Sequence, residues 1–89
     1  MLDGMPDLRP GQIIRGVVVE HRHFGVFIDI GESEPAVAVI TMLEDEPRSR
    51  DPVMPPIGAD VEAVFLGYSG PGRQARLSLR LGDVNAARE

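Results

Sequence analysis

The chain has 89 residues, no Cys, and fourteen acids against nine basic residues, all of them Arg, for a net charge of −5. That length holds one domain, which buries roughly 60–65% of the surface it exposes unfolded, so the core is small. Without Cys, disulfides, thiolate metal sites and reactive thiols are excluded, and a pI near 4.9 runs against the basic balance usual in a phosphate binder. The start, MLDGMPDLRPGQ, has neither the basic nor the apolar part of a signal peptide, and no apolar run reaches the roughly 20 residues that span a bilayer. A cytoplasmic protein that does not touch membranes is expected.

Residues 1–8 read as a flexible leader, ended by the breaker RPG at 9–11. QIIRGVVVEHR is dense in β-branched residues and predicts a first strand, with Gly16 marking a bend or a close backbone approach. HFGVFIDI predicts a second strand ended by Gly31, ESEP a turn, and AVAVITML a short buried third strand. EDEPRSRDPVMPPIG carries four of the eight Pro and predicts a long irregular connection. ADVEAVFLGYS predicts a fourth strand with Val61, Ala63 and Phe65 on its apolar face. GPG turns the chain into RQARLSLRL, a fifth strand with Ala75, Leu77, Leu79 and Leu81 on one face and Gln74, Arg76, Ser78 and Arg80 on the other. Residues 83–89 are expected to be a flexible tail holding a frayed helical turn.

Five strands without a convincing helix predict an all-β fold. A five-stranded Greek-key OB-fold barrel with its long Pro-rich connection between strands 3 and 4 fits best; an SH3-like barrel is the alternative. In either barrel Gly16 and Gly25 serve the sharp coiling that closure demands.

Charge is unevenly spread. Nine of the fourteen acids lie between Asp29 and Glu62, whereas Arg73, Arg76 and Arg80 meet no acid between Glu62 and Asp83. Arg15, His21, Arg22 and His23 form a second basic stretch against Glu20 alone. Arg suits RNA because its planar fork meets phosphate and its face stacks on bases; uniform Arg use is equally a bias of composition. Phe24 and Phe27 are two of only three Phe, and a spacing of three puts them on opposite faces of a flat strand. Either Gly25 bends the strand so that both share a face, or one of them caps a thin core.

The blocks LRPGQIIRGVVVEHRHFGVFIDIG, AVAVITML, IGADVEAVFLGYS and RLSLR resemble, in order and spacing, the S-one RNA-binding domain. This is the OB-fold repeat of a small-subunit ribosomal protein, also appended to ribonucleases and translation factors. The resemblance covers about Leu8 to Gly82 and implies a domain over 9–82. It implies that Phe24 and Phe27 share one surface as stacking platforms for bases, each worth about 1–3 kcal/mol. Arg76 and Arg80 would meet phosphates, Arg15 would join them if the last strand closes beside the first, and Arg22, His21 and His23 would form the rim. Arg73 and Gln74 fall near the family's basic residue before its last strand, and Arg80 takes the place of its closing Lys. Val39 stands where many members have a His, and Ser69 where they have an Asp.

The function so implied is weak binding of single-stranded RNA, low in sequence specificity and steeply lost with salt, with the ribosome or an RNA-processing complex as its setting. The alternative is a protein-interaction adaptor that uses the acidic, Pro-rich 44–57 loop. No cofactor and no enzymatic activity are expected. His21 and His23 with Asp29 lack a further metal ligand, Ser78 has no activating His or Asp at useful spacing, and GYSGPGR lacks the Lys and context of a phosphate loop.

Overall fold

The computed structural model describes residues 8–43 and 54–89, so nearly all of the expected leader, and residues 44–53 of the Pro-rich connection, lie outside the described residues. The described chain is mostly β, with one five-stranded sheet and one short helix: β1 (Ile13–Arg22), β2 (Gly25–Asp29), β3 (Ala36–Val39), a 3-10 turn (Ile40–Met42), β4 (Asp60–Ser69), β5 (Gln74–Ser78) and α1 (Leu81–Arg88). The strands run in the order β1-β2-β3-β5-β4, and β4 returns to β1, so the sheet closes into a barrel. All neighbours are antiparallel except β3 and β5, which meet in parallel at Val37 and Arg76.

This order corrects one expectation. The last strand does not close beside the first: β5 lies between β3 and β4, and β4 is the neighbour of β1. The short turn after Ser69 folds β5 back along one edge of β4, and the ten-residue β1 occupies the other edge while also pairing with β2.

Strand alternation fills the barrel. Val18, Val26, Ile28, Ala36, Ala38, Ala63, Phe65, Ala75 and Leu77 form the buried cluster, with Ile14, Val61 and Leu79 packed against it. Phe65 is the one large ring in this core, and four members of the cluster are Ala, small residues that leave room for a bulky one in a narrow barrel. A Cβ on Gly16 would come within 2.5 Å of Ile28 Cγ2 and 2.6 Å of the Asp29 carbonyl oxygen, so β1 approaches β2 there as closely as backbone allows. Register shifts between Val18 and Glu20, and between Phe65 and Gly67, mark bulges at Val19 and Leu66. They supply the local bending that lets so few strands close.

Two elements end sooner than the apolar pattern suggests. β3 stops at Val39; the Ile40 N–H then donates to the Phe24 carbonyl at 2.9 Å, and the chain turns inward to bury Leu43. β5 stops at Ser78, and the residues expected as a flexible tail belong to a two-turn helix. Its anchor is polar. Ser78, fully buried, donates to Asp83 Oδ2 at 2.6 Å, Arg80 Nε donates to the same oxygen at 3.0 Å, and the Arg80 N–H donates to Ser78 Oγ at 3.2 Å. Val84 is buried one turn into the helix. A period-2 reading carries Leu81 onto the core face, whereas it is 69% exposed at the start of the helix.

The hydrogen bonds from Ser78 and then Arg80 hold the Asp83 carboxyl below its ordinary pKa. A depressed folded-state value stabilises the fold above the unfolded-state pKa, and that contribution is lost as pH falls through the folded value. Asp83→Asn is therefore expected to lower stability at pH 7 and to flatten its loss below about pH 4. Ser78→Ala, which deletes a buried hydrogen bond to a charged group, is expected to cost about 1.5 kcal/mol in urea unfolding at pH 7. Unchanged acid limbs in the Asn variant would contradict the network.

Candidate nucleic-acid interface

Arg22 pairs with Gly25, so His23 and Phe24 form the two-residue turn between β1 and β2 rather than part of a strand. Neither has a positive φ; the unusual backbone falls on Gly25, at φ 155. A Cβ at Gly25 would sit 2.3 Å from the Ala38 carbonyl oxygen and 2.8 Å from Val39 Cα. Only glycine lets β3 lie this close, and the turn so formed places Phe24 above the outer face that Phe27 occupies. The two rings meet edge to face with centroids 5.8 Å apart. Period-2 counting fails here because Phe24 is in the turn.

Phe24 is 40% exposed and Phe27 is half-buried. Around them, His23 meets the Phe24 ring edge-on at 5.3 Å, and the Arg22 guanidinium lies 5.9 Å from the Phe27 centroid. Arg22 also pairs with Glu20, which sits directly opposite Phe27. An acid therefore tempers the aromatic cluster from the β1 side. His21 leaves the cluster: its Nε2 bonds the Pro55 carbonyl at 2.7 Å. Among the described residues no group of three metal-binding side chains comes together.

The outer face continues from Phe27 across the barrel. Phe27 is in register with Val37, and Val37 with Arg76. With strands about 4.8 Å apart, Phe27 and Arg76 are separated by about 10 Å. Val37 is buried although it lies outside the core cluster, and the Arg76 Nε is buried with no hydrogen-bond partner. An unsatisfied buried donor costs about 1–3 kcal/mol. Beside Arg76 runs a groove of about 230 Å³, walled by Val37, Val39 and Met42 on one side and by Leu66 to Ser69 on the other. The sequence showed Arg76, but the groove depends on the bulge at Leu66, whose only trace in the sequence is the break of alternation in FLGY.

The remaining arginines are dispersed. Arg73 sits at the β4–β5 turn with φ 51, its guanidinium 5.0 Å from the Tyr68 ring centroid. Tyr68 packs edge-on against Phe65 and donates to Glu32 Oε2 at 3.1 Å, closing that end of the barrel beside a cleft that Arg73 and Gln74 line. Arg80 is held by Asp83 as the N-cap of α1. Arg15, 82% exposed, reaches Glu62 across the β1–β4 seam at 3.4 Å, and Arg88 of α1 pairs with the same carboxylate. The structure thus brings Phe24, Phe27, Arg22, His23 and Arg76 to one face, sets Arg73 at its far end, and leaves Arg15 and Arg80 outside. Most of the 44–57 loop, considered for a protein partner, lies outside the described residues.

No family model matches the chain, and no curated protein matches it. Solved structures do. The chain is similar to GSP13 from Bacillus subtilis (TM-score 0.66, 16% identity, over 82% of this chain and 56% of that one). It is also similar to a chain in the a/eIF2alpha–aDim2p–rRNA complex from Pyrococcus horikoshii OT3 (0.67, 19%, over 92% and 51%). A third is the uncharacterized protein MJ1198 from Methanocaldococcus jannaschii (0.62, 16%, over 82% and 93%). The chain spans about half the length of the first two. At these identities the likeness is one of fold alone.

Proposed function

We propose that this domain is a single-stranded RNA-binding module on an OB-type Greek-key barrel, and that RNA lies across the outer face from the β1–β2 turn to β5. The observation that carries this reading is the Phe24–Phe27 pair, two rings kept outside a core that has only one Phe of its own. One of the similar structures is a complex that includes rRNA. Bases stack on Phe24 and Phe27, which suits any sequence because every base has a flat face. Arg22 and Arg73, at opposite ends of the face, meet backbone phosphates, and Arg76 lies between them. Arg15, on the β1–β4 seam, and Arg80, at the start of α1, lie outside this face and add little, so the salt dependence is shallower than an even count of arginines suggests.

Titration of a labelled single-stranded RNA by fluorescence anisotropy tests this. Two phosphate contacts give a slope of log K against log salt of about −1.4, or a loss of about sevenfold between 50 and 200 mM salt. Arg15→Ala is expected to leave the slope unchanged, whereas Arg73→Ala reduces it by about 0.7. Binding that Arg15→Ala abolishes would move the site to the β1–β4 seam and overturn the reading.

A further inference from the structure

We infer that the outer face of β1 around Val17 docks a basic amphipathic helix of a protein partner, at a place separate from the RNA face. β1 alternates about a fully buried Val18: Val17 is 37% exposed and Val19, at the bulge, 43%. The Gly58 N–H donates to the Val18 carbonyl at 2.7 Å, and the His21 ring bonds the Pro55 carbonyl. These two bonds bracket Ile57 beside Val19, and Ile57 is 62% exposed. Single exposed apolar residues are ordinary, but a group of them marks a surface that another molecule covers.

Charge says what covers it. Val17 is in register with Asp29 of β2 and with Asp60 of β4, and residues directly opposite one another share a face. Two carboxylates therefore flank Val17, about 10 Å apart across three strands. Both are exposed, and no ion pair among the described residues engages either. Arg15, two residues back on the same face, reaches Glu62 instead. The two acids repel RNA. They also oppose a second copy of this chain, because a two-fold axis through Val17 in the plane of contact stacks Asp on Asp, whether it runs along β1 or across it. A cationic occupant is the one they favour.

The protein itself shows the form of such a contact. Close by, α1 packs on β4 with Val84 buried and with Arg88, one turn later, on the Glu62 carboxylate. Asp60 lies on the same face of β4 as Glu62, two residues away. A second helix docked in the same manner seats apolar side chains on Val17 and a basic side chain on each Asp. Helix residues i and i+7 are about 10.5 Å apart along the axis, which matches the spacing of the two carboxylates. The occupant therefore carries Arg or Lys at i and i+7, with apolar residues at i+3 and i+4 between them.

The experiment is a residue-resolved NMR titration of the full chain with an Ala- and Gln-rich peptide of about 18 residues, long enough to form a helix alone. It bears Arg at i and i+7 and Leu at i+3 and i+4; one control peptide has Glu for Arg, another Ser for Leu. At low salt the Arg peptide is expected to shift the amides of Val17, Val19, Asp29 and Asp60 together and to leave those of Phe24 and Arg76 in place. Both control peptides are expected to bind about tenfold more weakly or worse. Asp29→Asn with Asp60→Asn is expected to weaken the Arg peptide about fivefold, as the loss of two exposed ion pairs implies. Asn at position 29 keeps the oxygen that accepts the Gly31 N–H, so the turn there is retained. Silence of these amides with the Arg peptide, or equal affinity for the Arg and Glu peptides, would overturn the inference. So would shifts of the same amides on concentrating the protein alone, which would give the face to a second copy, or on adding a U-tract RNA, which would give it to RNA.

Discussion

Gly25→Ala is expected to destabilise the domain by about 3 kcal/mol or more and to lower its melting temperature by about 15 °C. The added methyl would stand 2.3 Å from the Ala38 carbonyl oxygen and 2.8 Å from Val39 Cα, both of them backbone, so no side-chain rotation relieves the clash. Overpacking costs about 1–3 kcal/mol, and holding an L-residue at positive φ adds about 1–2. For a chain of this size, whose whole stability is of order 5–10 kcal/mol, that is a large share. Relief requires β2 and β3 to separate, which also pulls the Phe24 turn away from Phe27. Gly72→Ala is the control, since a Cβ there meets nothing within 4 Å. Thermal unfolding of both variants decides it; similar melting temperatures would show that β3 does not approach Gly25 this closely.

Removing both outer rings, Phe24→Ala with Phe27→Ala, is expected to weaken single-stranded RNA binding about 30-fold or more. Stacking on an aromatic platform is worth about 1–3 kcal/mol per base, and every 1.4 kcal/mol is tenfold in affinity. Because the rings contact each other at 5.8 Å, the single substitutions are not independent: loss of one removes the support that orients the other. The two single variants together are therefore expected to account for more than the double variant loses. Neither ring belongs to the buried cluster, so the double variant should melt within a few degrees of the parent, unlike Gly25→Ala. A double variant that unfolds instead would mean that these rings serve the core.

Much of the barrel is legible in the sequence because inward positions recur with period two. Val61, Ala63 and Phe65, then Ala75 and Leu77, declare the inner faces of β4 and β5. The signal fades where period two stops governing the chain. Leu79 and Leu81 continue the alternation of β5, but the strand ends at Ser78 because Ser78, Arg80 and Asp83 bond one another, a contact between residues that no apolar pattern encodes. Likewise AVAVITML reads as one strand, although its second half turns inward to bury Leu43.

The site was legible in the same uneven way. Its rings and Arg76 stand out by residue type, whereas the separation of Arg15 and Arg80 from them follows from strand order and ion pairing. Arg15 sits at the β1–β4 seam because β5 closes against β3, and chain order alone does not say which strand takes that place. The groove beside Arg76 comes from the Leu66 bulge, a register effect visible only once β4 and β5 are paired.

The most direct test of the central claim is a residue-resolved NMR titration with a short mixed-sequence single-stranded RNA, first at low and then at physiological salt. The expected result is that amides of His23, Phe24, Phe27, Val37 and Arg76 shift together, that those of α1 and of the Arg15–Glu62 seam do not, and that salt partly reverses the shifts. Silence across the outer face at low salt, or shifts confined to α1 and the seam, would contradict it.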